Sequence, residues 1–368
     1  MFACLFPEFF DGERVLEIAK QLIVLNMEKS IFSDGCNNED SLSYSHFIAR
    51  LYLEAELFLK YNGYPEIEGL HNSVQKQYEF LFKFSSPSGK SLQIGDSYAL
   101  DAVEDVEYVN SFYPLDFIRE RKTCLFADSR MAVLKNNDFT VYVDAMNMDQ
   151  WHQHFGRPHF LMFKGEMPLV VDSGSVNYDR GYIRQHLNSE RSHNVICATE
   201  IPLTKRPSNE TLRVTEFSDG DVVTLEIENK VVGENKSYTW VRRFELYSDR
   251  LEIVDSVKAT EKMHFVSRIF LPDCRVGYTS VRERFLNEEK LRFGSYMEKV
   301  TTETPFEVEF TPCVDGNNRM NYAEALVRRF DTDKFLERTV IRCDRIRDGL
   351  KYFEPTTPEW EDYLKKHK

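Results

Sequence analysis

The stretch Met131-Ala132-Val133-Leu134-Lys135-Asn136-Asn137-Asp138-Phe139-Thr140-Val141-Tyr142-Val143 decides the fold of this chain. Two short apolar runs rich in strand-forming residues flank a polar turn, which reads as two short strands. The β texture then persists. Leu169-Val170-Val171-Asp172 reads as a strand that ends at Ser173-Gly174, and Trp240–Leu246 with Leu251–Val257 reads as a hairpin across Ser248-Asp249-Arg250. Short strands and polar turns continue to about Cys343, interrupted by the charged run Arg282–Lys290. Many short strands without interleaved helices predict an antiparallel sandwich.

Upstream of this stretch the pattern is helical. Asp11 can cap a first helix whose apolar face is Val15, Ile18, Ala19, Leu22 and Ile23, broken at Ser33-Asp34-Gly35. A second helix runs from about Ser41 to Leu59, with Ile48, Leu51, Tyr52, Ala55 and Leu59 on one side, and ends at Asn62-Gly63-Tyr64-Pro65. A third runs from about His71 to Phe84 with Val74, Tyr78, Leu81 and Phe82 inward. Short loops make antiparallel helix pairs the natural product. The boundary to the β region falls within about 100–128, an acidic segment with Asp101, Glu104, Asp105 and Glu107. The polar tail Glu354 to Lys368 is expected to fray.

Composition narrows the function. A length of 368 residues exceeds one typical domain, and 42% hydrophobic with 13% aromatic residues supplies a packed core. No apolar run is long enough to span a membrane, and the N-terminus lacks the basic and apolar regions of a secretory signal. A net charge of −13 argues against nonspecific nucleic-acid binding but leaves room for a locally basic cleft. Cys4, Cys36, Cys124, Cys197, Cys274, Cys313 and Cys343 are scattered, odd in number and without CxxC, so they read as buried thiols. Asn209-Glu210-Thr211 and Asn235-Lys236-Ser237 match glycosylation sequons, a short pattern that arises often by chance.

The chemistry-bearing stretch is Trp151-His152-Gln153-His154. Of nine histidines, five lie between His152 and His193. On a strand, the spacing of His152 and His154 puts both rings on one face. His154, Asp172 and His193 form a three-ligand metal set of imidazoles and a carboxylate. Asp172 ends an apolar strand, where a carboxylate needs a partner. Ser192 and Asn194 flank His193 and can orient its ring. The competing reading is equally concrete: His-x-His pairs are commonly surface or structural. Arg157, Arg180, Arg184 and Arg191 surround the cluster and would make a local basic patch for an anionic ligand.

These residues resemble the signature of the heparinase II/III-like polysaccharide lyases. That signature is an HxH strand, an apolar strand ending in Asp-x-Gly, and a Ser/Ala-His-Asn triplet. They stand here as His152-Gln153-His154, Asp172-Ser173-Gly174 and Ser192-His193-Asn194. Phe6-Pro7-Glu8-Phe9, then Asp34-Gly35, Glu39, Ser41 and Tyr44, are similar to the family's helical motif, and Ile94-Gly95-Asp96 to a further element. The resemblance implies an α+β multidomain chain: the C-terminal part of an α/α toroid over residues 1–110, followed by an antiparallel β-sandwich over 111–368. It implies β-elimination on a uronic-acid-containing polysaccharide. Tyr44 would be the tyrosine acid/base and His152 a second proton-transfer or charge-stabilising group. Glu39, Arg184 and Arg191 would bind substrate, and His154, Asp172 and His193 would hold a structural zinc. On this reading His46 is peripheral, His186 lies on the surface, and His159 stands where the family often has a small residue.

Two departures qualify the resemblance. Gly156 stands where the family usually has Asp, and the family's upstream carboxylate-neutralising pair would fall before Met1. The expectation is therefore a lyase lacking its N-terminal part. The alternative is a non-catalytic carbohydrate-binding fragment, or a subunit of a split lyase that needs an N-terminal partner chain or homo-oligomer. A zinc hydrolase is the remaining reading, without an HExxH motif to support it. The resemblance places such proteins in the periplasm or outside the cell.

Overall fold

The computed structural model describes residues 1–6, 8, 11–146, 152–176, 178, 181–201, 210–272, 282–285, 288–293, 296–314 and 319–345. Pro7, Phe9, Trp151, Arg180, Asn209, Cys274 and the tail from Glu354 to Lys368, all read above, lie outside the described residues.

Five helices come first: α1 (Phe2–Leu5), α2 (Gly12–Ser30), α3 (Leu42–Tyr61), α4 (Leu70–Lys83) and α5 (Ala102–Asn110). A five-stranded antiparallel sheet follows, ordered β1 (Cys124–Phe126), β2 (Met131–Lys135), β3 (Phe139–Asp144), β4 (His159–Lys164) and β5 (Met167–Val170). Helix α6 (Tyr182–Leu187), a 3-10 turn at Glu190–Ser192 and β6 (Ile196–Ala198) lead into the larger sheet. Its further strands are β7 (Glu210–Asp219), β8 (Val223–Val232), β9 (Ser237–Leu246), β10 (Arg250–Leu271), β11 (Arg282–Phe285), β12 (Glu288–Phe293), β13 (Tyr296–Thr302), β14 (Glu307–Val314) and β15 (Met320–Arg345). They run in the order β11-β12-β13-β15-β10-β9-β8-β7, with β14 on β15 and β6 on β10.

The small sheet is the middle layer, and this explains why its strands are apolar on both faces. Ala132, Leu134, Phe139, Val141, Phe160 and Met162 pack on Leu225, Phe244, Ile253, Ile269 and Leu326 of the large sheet. From the opposite face Met131, Val133, Tyr142 and Leu161 join Val74, Tyr78, Leu81, Phe84 and Ile94 of the helical unit. Period-2 alternation sends neighbouring side chains into two different cores. The Tyr142 hydroxyl donates to the Ser85 carbonyl at 2.6 Å, which satisfies its polar end across the layer boundary.

Several sequence expectations shift here. Asp11 lies in the left-handed region (φ 54°) and makes no side-chain cap to α2. Val15, Ile18 and Leu22 are exposed; the inner face of α2 keeps Ile23 and is completed by Leu16, Val24 and Met27. On α3, Leu51 is exposed while Ala49, Leu53 and Leu59 are buried. The acidic boundary segment contains α5, whose Val106 and Val109 are buried. Strand β5 stops at Val170, so Asp172 stands in the loop beyond it. The described cysteines are free thiols; Cys4, Cys36, Cys197 and Cys343 are buried as read, while Cys124 and Cys313 are half-buried.

The large sheet carries a buried ion pair. Arg242 and Asp255 face each other on β9 and β10, with Nε–Oδ1 2.8 Å and Nη2–Oδ2 3.0 Å, and Trp240 Nε1 donates to Oδ1 at 2.7 Å. Arg242 Nη1 also donates to the carbonyls of Pro158 and Asn194, which ties together the segments just before β4 and just before β6. Arg242→Met leaves Asp255 buried without its counter-charge and lowers unfolding free energy by about 3–5 kcal/mol. Denaturant midpoints check this. The double variant Arg242→Met/Asp255→Leu recovers much of the loss if charge, rather than packing, is its cause.

Candidate active site and metal centre

The site forms where the start of α3, the Gly95-Asp96 loop, the His152–His154 segment and the 172–184 segment converge. Ser41 caps α3, its hydroxyl taking the Tyr44 N–H. That same hydroxyl donates to the Asp96 carbonyl at 2.9 Å. The first turn of α3, which carries Tyr44, is thereby fixed to the Asp96 loop. Gly95 has φ +57°, and a Cβ there would come within 2.1 Å of the Asp40 carbonyl oxygen and 2.8 Å of that of His152. Only glycine permits this approach. Asp96 N–H donates to the His152 carbonyl at 3.0 Å, which closes the junction.

Asp96 is the hub. It is buried, and Arg184 donates to both its oxygens, Nη1–Oδ1 2.9 Å and Nη2–Oδ2 2.7 Å. Ser175 donates to Oδ1 at 2.8 Å. His154 Nε2 lies 3.1 Å from Oδ1, and His152 Nδ1 lies 3.3 Å from Oδ2. Burial alone would raise the Asp96 carboxyl, but hydrogen bonds from His154 and Arg184 outweigh it and hold the group below the usual carboxylate range. His152 and His154 lie in a loop rather than on a strand, yet both rings meet one carboxylate.

Tyr44 stacks on His152, ring centroids 3.6 Å apart at 13°. Tyr44 Oη lies 2.7 Å from Tyr178 Oη, which lies 3.0 Å from His152 Nδ1. Glu39 Oε2 is 3.7 Å from His152 Nε2. The Arg184 guanidinium covers the Tyr178 ring at 4.7 Å. Partial burial, then the hydrogen bond with Tyr44, raises the Tyr178 phenol well above its ordinary value. Either hydroxyl of the Tyr44–Tyr178 pair can donate to the other. Tyr44, His152, Glu39 and Arg184 thus lie in one cluster, while Arg191 is exposed on the 3-10 turn with no side-chain contact to it among the described residues. Asp96, Ser175 and Tyr178 were not read as site residues. His46 is buried against Asp105 at 3.1 Å, away from the cluster. His186 is half-buried, with Nε2 2.6 Å from Thr311 Oγ1, and is not a surface residue.

Beneath the cluster is a cavity of about 10 Å³ lined in part by His154, His159, Asp172 and His193. Asp172 Oδ2 lies 2.7 Å from His193 Nδ1 and 2.9 Å from His159 Nε2, and Oδ1 accepts the Gly174 N–H at 2.7 Å. His154 Nδ1, His159 Nε2 and His193 Nε2 are buried without a hydrogen-bond partner. Three orphaned imidazole nitrogens around an ionised carboxylate include the donor set that zinc takes, so the residues present fit the ion. The tightest grouping of ligand-type atoms is His159, Asp172 and His193, with His154 beside His193 at 5.3 Å between ring centroids.

Burial holds the His154 and His193 imidazoles below the ordinary histidine range, against the opposing pull of Asp96 and Asp172. Asp172, despite its burial, is held below the carboxylate range by His193 and His159. The unfolded chain takes up protons on these histidines below about pH 6.5, where the folded chain resists, so stability falls as pH drops through that value. The depressed Asp96 and Asp172 add a second loss below about pH 4, where the unfolded carboxylates protonate first. Thermal midpoints measured with chelator present should fall in those two stages. A midpoint unchanged from about pH 7 to about pH 5 would contradict buried neutral imidazoles.

Residues 119–341 match the family described as Heparinase II/III-like, C-terminal. The chain belongs to this family. The heparinase II/III-like family is a polysaccharide lyase family, and the match spans β1 through most of β15. Solved structures agree in fold. A heparinase III, the BT4657 gene product, superposes with TM-score 0.78 at 16% identity over 92% of this chain and 56% of its own. The heparan sulfate lyase HepC from Pedobacter heparinus gives TM-score 0.75 at 12% identity, over 94% of this chain and 59% of its own. Another heparinase III gives 0.76 at 16%, over 94% and 60%. This heparinase-like chain thus spans little more than half the length of the solved proteins it resembles. No curated protein sequence matches it. Among the described residues, no helix is long and apolar enough to cross a membrane.

Proposed function

We propose that this chain cleaves a uronic-acid-containing polysaccharide by β-elimination, using Tyr44 and His152. The observation that carries the reading is the contact line Tyr44 Oη–Tyr178 Oη–His152 Nδ1, held on the buried Asp96. In the elimination, the proton on C5 of the uronate passes to a base, the C4–O bond breaks, and the leaving oxygen takes a proton. Tyr44 is the group whose oxygen has a donor, Tyr178 O–H, ready to stabilise negative charge on it. The hydrogen-bonded line then lets a proton move between Tyr44 and His152 through Tyr178. Tyrosine and histidine work as acid and base at hydrogen-bond distance. Glu39 and Arg184 flank the reacting sugar, Arg184 chiefly by fixing Asp96 and Tyr178.

His154, Asp172 and His193 would hold a zinc ion. The ion would supply structural cross-linking of the sandwich loops. The helices α1–α5 belong, on this reading, to a larger α/α toroid, with the boundary to the sandwich near residue 110.

The second reading is a chain that binds the polysaccharide without cleaving it by itself. Incubating the purified chain with uronic-acid polysaccharides and following ultraviolet absorbance of the unsaturated product separates the two. Rising absorbance supports the lyase and names the substrate class. Binding without absorbance, from a folded chain, supports the second reading. Cleavage products without the new double bond would overturn elimination.

A further inference from the structure

The buried histidine group holds one more imidazole than the zinc reading uses. His159, the first residue of β4, is 3% exposed and belongs to the tightest ligand-type grouping, with Asp172 and His193. Distance alone would make it a metal ligand in place of His154. Hydrogen-bond chemistry argues otherwise. The backbone N–H of Asn194 donates to His159 Nδ1 at 3.0 Å. A peptide N–H is always a donor, so Nδ1 carries a lone pair and no proton. In a neutral imidazole the proton is then on Nε2. A nitrogen that carries a proton cannot ligate a metal.

Asn194 is itself immobilised. Its side chain donates to the Phe160 and Val171 carbonyls, 2.8 Å each, and accepts the Phe270 N–H at 2.7 Å. Three segments of the sandwich therefore fix the donor that sets the His159 tautomer. His159 Nε2 lies 2.9 Å from Asp172 Oδ2 without forming a hydrogen bond, so the contact is one of charge and dipole. His154 presents the opposite arrangement: Nε2 is engaged by Asp96 at 3.1 Å, and the buried Nδ1 is without a partner. A carboxylate on one nitrogen leaves the other as the ligand, the usual outer support of a metal-bound histidine.

The geometry points to His159 as a positioning residue, whose Nε2 edge, 2.9 Å from Asp172 Oδ2, braces that carboxylate electrostatically for an ion bound by His154, Asp172 and His193. This rests on the metal reading above and assigns it two imidazole ligands rather than three.

Two measurements test it. Nitrogen-15 spectra of histidine-labelled, metal-free protein report the tautomer of each ring, and His159 is expected protonated at Nε2 only. X-ray absorption of the zinc-loaded protein counts imidazole ligands, and two are expected both in the wild type and in His159→Gln, whose side-chain amide can still turn an N–H dipole toward Asp172. Removing that dipole altogether, in His159→Leu, weakens zinc binding about 10–100-fold with the ligand count unchanged. Three imidazoles in the wild type, falling to two in His159→Gln, would overturn the inference and leave the zinc reading intact. A His159 ring protonated at Nδ1 would overturn it without any variant having to fold. Failure of the wild type to take up zinc, with His159 protonated at Nε2, would overturn the metal reading and the role of His159 toward an ion with it.

Discussion

Tyr44→Phe lowers eliminative turnover by about 10²–10⁴-fold, the usual contribution of one positioned acid or base, and leaves the fold in place. The phenyl ring keeps the 3.6 Å stack on His152, because the stack needs no hydroxyl. The lost oxygen contacts Tyr178 Oη, an exposed neighbour that water can satisfy. Stability therefore changes by no more than about 1 kcal/mol, the scale of one hydrogen bond open to solvent. Tyr178→Phe is the informative companion. It leaves Tyr44 in position but removes the donor from Tyr44 and from the line to His152. If Tyr178 stabilises charge on Tyr44, kcat falls and KM holds. If Tyr178 only binds sugar, KM rises and kcat holds. A Tyr44→Phe chain that turns over as fast as wild type, by product absorbance, would remove Tyr44 from the chemistry and with it the proposed mechanism.

The sandwich was legible because its signal is local. Met131–Leu134 and Phe139–Val143 carry strand residues around a turn, and the structure places β2 and β3 there. The reason for their double-sided apolarity was not legible, since it depends on two other layers meeting them. Helix α2 shows the same limit. Periodicity located the helix, but Val15, Ile18 and Leu22 lie on its exposed side, and nothing in a single helix says which apolar residues are covered. The candidate site divides likewise. Tyr44, His152, His154, Asp172 and His193 carry recognisable motifs. Asp96 is a lone carboxylate in a loop, and its role comes from segments far apart in sequence closing around it. The available signals were Gly95 before it, a residue that fits a strained close approach, and the likeness of Ile94-Gly95-Asp96 to a family element, to which no role was attached. Tyr178 has no motif around it; only the fold brings it between Tyr44 and His152.

Asp96→Asn is the substitution that tests the hub, and it costs both stability and turnover. The shape is kept while the charge is lost. One amide face still accepts, but the other presents N–H groups to Arg184 or His152, which are themselves donors. Arg184 is left largely buried without its counter-charge, and breaking such a pair costs about 3–5 kcal/mol. The ring of His154 loses the acceptor that orients it, and zinc affinity drops about 10–100-fold. His152 loses its anchor at the same time, so turnover falls even in zinc-saturated protein. Ser175→Ala is the control, because it removes one donor to Asp96 and leaves the charge in place; its effect stays near 1 kcal/mol. Denaturant midpoints, zinc titration and product absorbance on both variants read the three consequences separately. Joint loss of all three in Asp96→Asn, with Ser175→Ala near wild type, means that one carboxylate couples the metal centre to the proton-transfer pair. Loss of stability alone would make Asp96 a structural ion-pair partner and would leave His152 positioned by its stack on Tyr44.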